Sequence, residues 1–187
     1  MTEIKYIISD LDGTLVNTFE ANFAAYHEVL AEYGFELTRE SYRASFGQRL
    51  DDLLATLDDG HLLSHLAEIK VRKAKCYPQF FNLLHLNEPL VGFYRMFVAN
   101  GGHLALCSTA SATNVLNVLQ AVDCQNLFEF MITGENVKHG KPAPDCYLAG
   151  AERWQVAPQD ILVFEDSDIG IQAALNAGSQ VIKVGCR

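Results

Sequence analysis

Two aspartates stand two positions apart after a short apolar run near the start of the chain. Asp10 and Asp12 follow residues 4–8, a β-branched and apolar segment that predicts a buried strand. Side chains two apart at a strand end point to the same side, so we expect both carboxylates to face one small volume. Such a pair can share a divalent cation, or divide into a nucleophile and a proton carrier. The alternative is an ordinary turn beside Gly13.

Short apolar runs recur along the chain and alternate with segments of helical periodicity. The later runs are residues 103–107, 130–132, 161–164 and 181–184. Strands that alternate with helices predict an α/β fold with a mostly parallel sheet covered on both faces. Ligands of such a sheet bind beyond the carboxyl ends of its strands, where Asp10 and Asp12 would lie.

The stretch from about residue 17 to residue 86 interrupts this alternation. Its apolar residues recur at helical spacing, and it contains no convincing strand. We therefore predict a core made of residues 1–16 and 87–187, with a small helical cap, residues 17–86, inserted after the first strand. Hinges between the two are expected near residues 16–18 and 87–90.

Composition narrows the class of partner and the cellular compartment. The chain of 187 residues is 49% hydrophobic and carries a formal net charge of −9, with a pI near 5.0. This length predicts one compact domain, with room for a small insertion. The acidity argues against nucleic acid or an anionic membrane as partner. The sequence has five cysteines without CxxC spacing, and it shows no signal-peptide pattern. It also has no apolar run long enough to span a bilayer. These features favour the cytoplasm. We expect a monomer or a weak homodimer.

Residues 10–16, DLDGTLV, resemble the DxDGT signature of the haloacid dehalogenase (HAD) superfamily. In that family the first aspartate attacks phosphorus and the second handles the proton. Haloacid dehalogenases proper usually lack an acidic residue at the second position. Asp12 therefore favours phosphoryl transfer over carbon–halogen chemistry.

The resemblance implies further site residues at later strand ends, and the chain has a match for each. Ser108, with the amides of Thr109 and Ala110, would hold phosphate oxygens at a helix start, although a helix N-cap is its ordinary alternative. Lys141, in the GKPAPD segment, would neutralise charge on the transferred phosphoryl group. Its alternative is a surface lysine in a loop.

The segment EDSDIG, residues 165–170, resembles the family's acidic motif. The resemblance implies a Mg²⁺ site whose protein donors are Asp10, the main-chain carbonyl of Asp12, and Asp166. Glu165 is either a further ligand or a partner of the ligands. Asp168 is a candidate cap for the next helix.

The family mechanism has two steps. Asp10 would form an aspartyl-phosphate while Asp12 protonates the leaving oxygen, and Asp12 would then activate water. Residues 137–145 and 164–174 are most similar to bacterial fructose-1-phosphate phosphatases and β-phosphoglucomutase-like proteins. The implied substrate is a small phosphorylated sugar. Arg49, in a segment similar to a substrate-binding loop of the cap, is the candidate substrate arginine, with an exposed structural arginine as the alternative.

A phosphosugar mutase and a non-catalytic module are the competing hypotheses. The mutase-like pattern usually carries a histidine, used in gating the proton shuttle, where this chain has Asn22. Because a carboxamide cannot titrate in that way, Asn22 favours the hydrolase. A non-catalytic module usually lacks the nucleophile or a metal carboxylate, and Asp10 and Asp166 are both present.

Overall fold

The computed structural model describes residues 4–57 and 60–186. It divides into two compact units, one formed by residues 4–17 with 85–186 and the other by residues 18–57 with 60–84. The strands, in chain order, are β1 (Tyr6–Asp10), β2 (Val16–Asn17), β3 (His85–Leu86), β4 (His103–Cys107), β5 (Phe130–Ile132), β6 (Ile161–Glu165) and β7 (Gln180–Lys183). The α-helices are α1 (Phe19–Ala31), α2 (Arg39–Ser45), α3 (Leu50–Leu57), α4 (His61–Ser64), α5 (Leu66–Cys76), α6 (Glu88–Ala99), α7 (Ala112–Ala121), α8 (Asp145–Trp154) and α9 (Asp168–Ala177). Short 3₁₀ helices cover Tyr77–Leu83 and Pro158–Asp160.

Five parallel strands form the central sheet of the first unit, in the order β5-β4-β1-β6-β7. The chain adds β4 and β5 on one side of β1 and then crosses to the other side for β6 and β7. The carboxyl ends of neighbouring strands meet at one edge, where Asp10 is level with Cys107. Since ligands bind at such a crossing point, β1 carries its terminal aspartate to the expected place.

The sheet is stabilised by apolar side chains on both faces. Ile8 and Val163 belong to a fully buried cluster with Ala173 and Ala174 of α9. On α6, the ring of Tyr94 packs edge-on against the ring of Phe164. Each large buried apolar side chain contributes about 1.5–3 kcal/mol relative to exposure, so this packing stabilises the sheet whose strand ends carry the site. The predicted α/β fold with a parallel sheet is confirmed.

The second unit is helical, as the periodicity of its apolar residues predicts. Leu54, Leu62 and Ile69, on three successive helices, are completely or almost completely buried. Among the described residues of the chain, none of the helices combines the length and the apolar character that a membrane span requires.

A short antiparallel ribbon differs from the sequence prediction. Val16 pairs with Leu86, and Asn17 pairs with His85, so residues assigned to a strand-free segment do form strands. Two-residue strands leave no periodic pattern in a sequence, which is why they were missed. Helix α6 begins at Glu88, inside the second predicted hinge, and the hinge near residues 87–90 remains a prediction. The Asn87 side chain accepts a hydrogen bond from the first helical turn.

Candidate active site

The loop after β1 is a tight turn built on Gly13. Its amide donates to the carbonyl of Val16 at 2.8 Å, and the amide of Val16 donates back to the carbonyl of Leu11 at 3.0 Å. Gly13 has φ +97°, in the left-handed region that favours glycine. A Cβ at this position would also overlap the carboxylate of Asp166. Glycine therefore permits both the turn and the close approach of an acidic side chain from another strand end.

The ammonium of Lys141 connects two carboxylates. It donates to Oδ1 of Asp10 at 2.6 Å and to Oε1 of Glu165. The three residues are 8%, 5% and 1% exposed, respectively. Burial alone would lower the pKa of Lys141, but the charges of Asp10 and Glu165 outweigh it and raise the pKa well above its ordinary value. Lys141 is therefore a fixed cation beside the candidate nucleophile.

The surroundings of Asp10 disfavour its ionised form. Burial raises its pKa well above the ordinary value, Lys141 opposes this, and the charges of Glu165, Asp166 and Asp12 raise it further. A nucleophilic carboxylate must be ionised, so this site favours a further positive charge next to Asp10.

Glu165 has hydrogen-bond donors on both carboxylate oxygens. The hydroxyl of Tyr147 donates to Oε1 at 3.4 Å, and the amide and hydroxyl of Ser167 donate to Oε2 at 2.8 and 3.0 Å. Burial would raise the pKa of Glu165, but Lys141 and the two Ser167 donors hold it below its ordinary value. A Cβ at Gly170 would overlap this carboxylate, so helix α9 also shapes its position. Glu165 thus holds the ammonium of Lys141, and its predicted role as a further metal ligand or as a partner of the ligands remains a prediction.

Asp166 completes a cluster of three carboxylates. One oxygen from each of Asp10, Glu165 and Asp166 lies within 4.8 Å of the others. The hydroxyl of Thr14 donates to Oδ1 of Asp166 at 3.1 Å. Burial, and next the charge of Glu165, raise the pKa of Asp166 to about 6. A set of hard oxygen donors with excess negative charge is chemically suited to a divalent cation.

The side chain of Asp12 contacts the segment that follows β4, residues 108–111. Ser108 donates its hydroxyl to Oδ2 of Asp12 at 3.2 Å and accepts from the amide of Ala110 at 3.1 Å. The N-cap of α7 is Ser111, not Ser108. The side chain of Asp12 is not in the three-carboxylate cluster, and the predicted ligand was its main-chain carbonyl.

Thr109 and Ala110 occupy the segment between β4 and α7, immediately after Ser108. The carbonyl of Ala110 accepts from the amide of Gly134 at 3.0 Å, which ties this segment to the chain after β5. Their predicted contact with phosphate remains a prediction, with the position before a helix start as its structural basis.

Arg49 belongs to the helical unit, immediately before α3. Its Nε lies 3.6 Å from Oδ1 of Asp51, and its side chain is a quarter exposed. In the same unit, the buried ammonium of Lys73 donates to Oδ1 of Asn22 at 2.6 Å and lies 3.4 Å from the ring centroid of Tyr77. The role of Arg49 toward substrate remains a prediction.

Sequence reasoning misassigned one residue and gave no role to several others. Asp168 does not cap α9. The cap is Ser167, whose hydroxyl accepts from the amide of Gly170, while Asp168 binds Lys183. Thr14 lies in the DxDGT motif and Ser167 in the EDSDIG motif, so their place in these motifs could have identified them. Tyr147 has no such signal, because its position on α8 is typical of an ordinary core residue.

Comparison with known protein families gives a match over nearly the whole chain. Residues 7–184 match the family described as haloacid dehalogenase-like hydrolase. The chain belongs to this family. The resemblance read from the four motifs and the prediction of a HAD-like hydrolase are therefore confirmed.

Similar proteins include two curated phosphatases and a crystal structure. The phosphorylated carbohydrates phosphatase of Thermotoga maritima is 32% identical over 96% of this chain and 84% of its own length. The fructose-1-phosphate phosphatase of Escherichia coli is 32% identical over 95% of both chains. CbbY from Rhodobacter sphaeroides, crystallised in complex with phosphate, has a TM-score of 0.87 and 25% identity over 99% of this chain and 88% of its own.

Proposed function

We propose that this hydrolase is a Mg²⁺-dependent phosphatase that acts on a small sugar phosphate through an aspartyl-phosphate on Asp10. The observation that carries the proposal is the buried Lys141 ammonium, 2.6 Å from Asp10 and beside two further carboxylates. This arrangement holds a nucleophile, a fixed cation and a candidate metal site in one place. Each is a group that phosphoryl transfer requires.

The residues divide the chemistry between them. The carboxylate of Asp10 attacks phosphorus, and Lys141, held by Glu165, stabilises negative charge on the transferred group. Asp12, which accepts from Ser108, protonates the leaving oxygen and later takes a proton from the attacking water. Asp10, Asp166 and the main-chain carbonyl of Asp12 would hold Mg²⁺, which would supply positive charge at the phosphoryl oxygens.

The proposed substrate class follows from the relatives. The two curated phosphatases are named for phosphorylated carbohydrates and for fructose 1-phosphate. We propose that the helical unit serves as the cap that excludes water, with Arg49 as its substrate-binding residue. Thr109 and Ala110 would contribute amides to the phosphate.

The proposals for partner, cellular location and oligomeric state rest on the composition of the sequence. A formal net charge of −9 disfavours nucleic acid and anionic membranes, so a small phosphorylated metabolite is the proposed partner. The proposed location is the cytoplasm, and the proposed state is a monomer or a weak homodimer.

A β-phosphoglucomutase-like reaction is the second candidate, because the similar motifs occur in both groups. Asn22 argues against it. Its carboxamide oxygen accepts from the buried ammonium of Lys73, and a carboxamide in this contact neither gains nor loses a proton near neutral pH. The fate of the phosphoryl group distinguishes the two candidates.

The first test replaces the nucleophile. Wild type and Asp10→Asn are incubated with a panel of sugar phosphates that includes fructose 1-phosphate and β-glucose 1-phosphate, with Mg²⁺ or with EDTA. Free phosphate and sugar-phosphate isomers are both measured. Asp160→Asn, an exposed aspartate of the 3₁₀ helix before β6, is the matched control.

We expect Mg²⁺-dependent phosphate release by wild type and Asp160→Asn, and none above background by Asp10→Asn. The latter variant should remain folded, since it loses a buried charge whose ionisation burial disfavours. Isomer conversion without free phosphate would make the protein a mutase. Substantial turnover by Asp10→Asn would remove Asp10 from the nucleophile role.

A further inference from the structure

The loop that carries Lys141 contains neither helix nor strand. Residues 133–144 link β5 to α8 through turns and bends. A lysine ammonium stands at the end of a flexible four-carbon stem, so its place depends on where the main chain holds the Cα atom. We propose that Asp145 and Asn176 are positioning residues for Lys141, which hold this loop from two sides.

Asp145 closes the loop on itself. Its Oδ1 accepts from the main-chain amide of His139 at 3.1 Å and lies 3.0 Å from Nδ1 of the same residue. The hydrogen bond from the His139 amide is the main reason why the pKa of Asp145 is lowered. Between these two residues, the amide of Ala143 donates to the carbonyl of Gly140 at 2.9 Å. The contacts join both ends of the segment that contains Lys141.

Asn176 holds the same segment from helix α9. Its Nδ2 donates to the main-chain carbonyl of Pro142, the residue after Lys141, at 3.1 Å. Its Oδ1 accepts from Nε2 of Gln172, one turn earlier on the helix, at 2.8 Å. The second hydrogen bond fixes which atom of the carboxamide faces Pro142. Neither Asn176 nor Gln172 touches Asp10 or the carboxylate cluster in these contacts.

Helix α9 connects the Asn176–Pro142 contact to the active site. It begins two residues after Asp166, and its N-cap Ser167 holds Glu165. The element that follows the acidic motif therefore also sets the main chain next to Lys141. A shift of about 1 Å in a catalytic group can reduce a rate by about 100-fold, so modest surface contacts can have large kinetic effects.

The test compares two variants that each lose a contact to the loop, called the clamp variants, Asp145→Ala and Asn176→Ala. Their controls lose the same kind of hydrogen bond elsewhere in the protein. Asp145→Ala is matched by Glu129→Ala, since Glu129 also pairs with a histidine Nδ1, that of His103, at 2.8 Å. Asn176→Ala is matched by Asn100→Ala, whose Nδ2 donates to a main-chain carbonyl at 2.8 Å. Asp145→Asn is the conservative variant, because its remaining oxygen can still accept from the His139 amide.

The kinetic part of the test rests on the proposed phosphatase function. With the best sugar phosphate of the panel, we expect kcat of Asp145→Ala and Asn176→Ala to fall by about ten-fold or more, with KM changed less than about two-fold. Asp145→Asn should recover most of kcat. Glu129→Ala and Asn100→Ala should match wild type in both constants.

A second readout does not require turnover. Lysines are labelled with trace acetic anhydride, and the rate at Lys141 is compared by mass spectrometry with that at the exposed Lys183. We expect Lys141 to be slow in wild type and in both controls, because it is buried and ion-paired. Its labelling should rise several-fold in the two clamp variants at unchanged thermal melting of the whole protein.

The outcomes separate this inference from the proposed function. Unchanged Lys141 labelling in both clamp variants overturns it, whatever happens to kcat, and so does a loss of kcat shared equally by the controls. If wild type releases no phosphate from any compound while the clamp variants expose Lys141, the positioning role stands and the phosphatase proposal fails.

Discussion

At the scale of single residues, the site concentrates negative charge that burial makes unfavourable. Three carboxylates share one small volume with the ammonium of Lys141. Burial, together with the neighbouring carboxylates, raises the pKa of Asp10 and of Asp166 although the charge of Lys141 lowers both. Such a cluster is expected where an additional cation binds, because a structural core would favour well-packed apolar groups instead.

Replacement of Gly13 tests the close approach of the Asp166 carboxylate to the turn after β1. Gly13→Ala forces a left-handed φ on alanine, which costs about 1–2 kcal/mol, and it must also displace the Asp166 carboxylate. Gly101→Ala is the matched control, because Gly101 has φ +84° and no atom near the added Cβ. We expect both variants to lose stability in urea unfolding. Only Gly13→Ala should also lose Mg²⁺ affinity in calorimetric titration, and equal Mg²⁺ affinity in the two variants would contradict the close approach of Asp166 to the turn.

At the scale of elements, the first turn of α9 has two tasks. Ser167 caps the helix through the amide of Gly170 and donates its hydroxyl to Glu165, which in turn holds Lys141. A helix start that would need a cap in any protein is here also a support of the site. The two tasks can be separated by comparison with a helix start remote from the acidic motif in sequence.

Ser167→Ala and Thr38→Ala make that comparison. Thr38 caps α2 in the helical unit by accepting from the amide of Ser41 at 3.2 Å. Each variant should lose about 1 kcal/mol of unfolding free energy, the usual cost of a lost N-cap. We expect kcat to fall only in Ser167→Ala, because Glu165 loses a donor and the ammonium of Lys141 is held less firmly. Equal kcat values for the two variants would show that Ser167 is only a cap.

At the scale of the whole molecule, the acidic cluster links folding stability to pH and to metal. The pKa of Asp166 is about 6 in the folded protein, above the ordinary value near 3.9 of an unfolded chain. Between these values the folded state binds more protons than the unfolded state. The free energy of unfolding therefore decreases as pH rises through this window. The raised pKa of Asp10 acts in the same direction, and the lowered pKa of Glu165 matters only at more acidic pH.

Thermal melting in EDTA should therefore give a higher Tm at pH 5 than at pH 7. Saturating Mg²⁺ should raise Tm most at pH 7, because it binds the ionised carboxylates, and should reduce or reverse this pH difference. Asp166→Asn is the control and should show a smaller pH difference in EDTA. A Tm in EDTA that increases from pH 5 to pH 7 would count against the buried carboxylate cluster.

The sequence by itself determined the fold class, the order of the strands along the chain and the positions of the motif residues. Those features depend on local patterns, since each motif directly follows a short apolar strand and the strands alternate with helices. The family could be identified for the same reason. Short strands such as Val16–Asn17 could not be predicted from the sequence, because two residues are too few to show a periodic hydrophobic pattern.

The tertiary structure alone decided which of these residues hold one another. Lys141 and Asp10 are 131 positions apart, and no local pattern indicates that Glu165 binds the same ammonium. The contacts of Tyr147 with Glu165 and of Asn176 with Pro142 could not be predicted either. The position of Tyr147 is typical of a core residue, and that of Asn176 is typical of a surface residue. Partners in a site are set by which strand ends and helix starts meet in space, and this depends on the packing of the complete sheet.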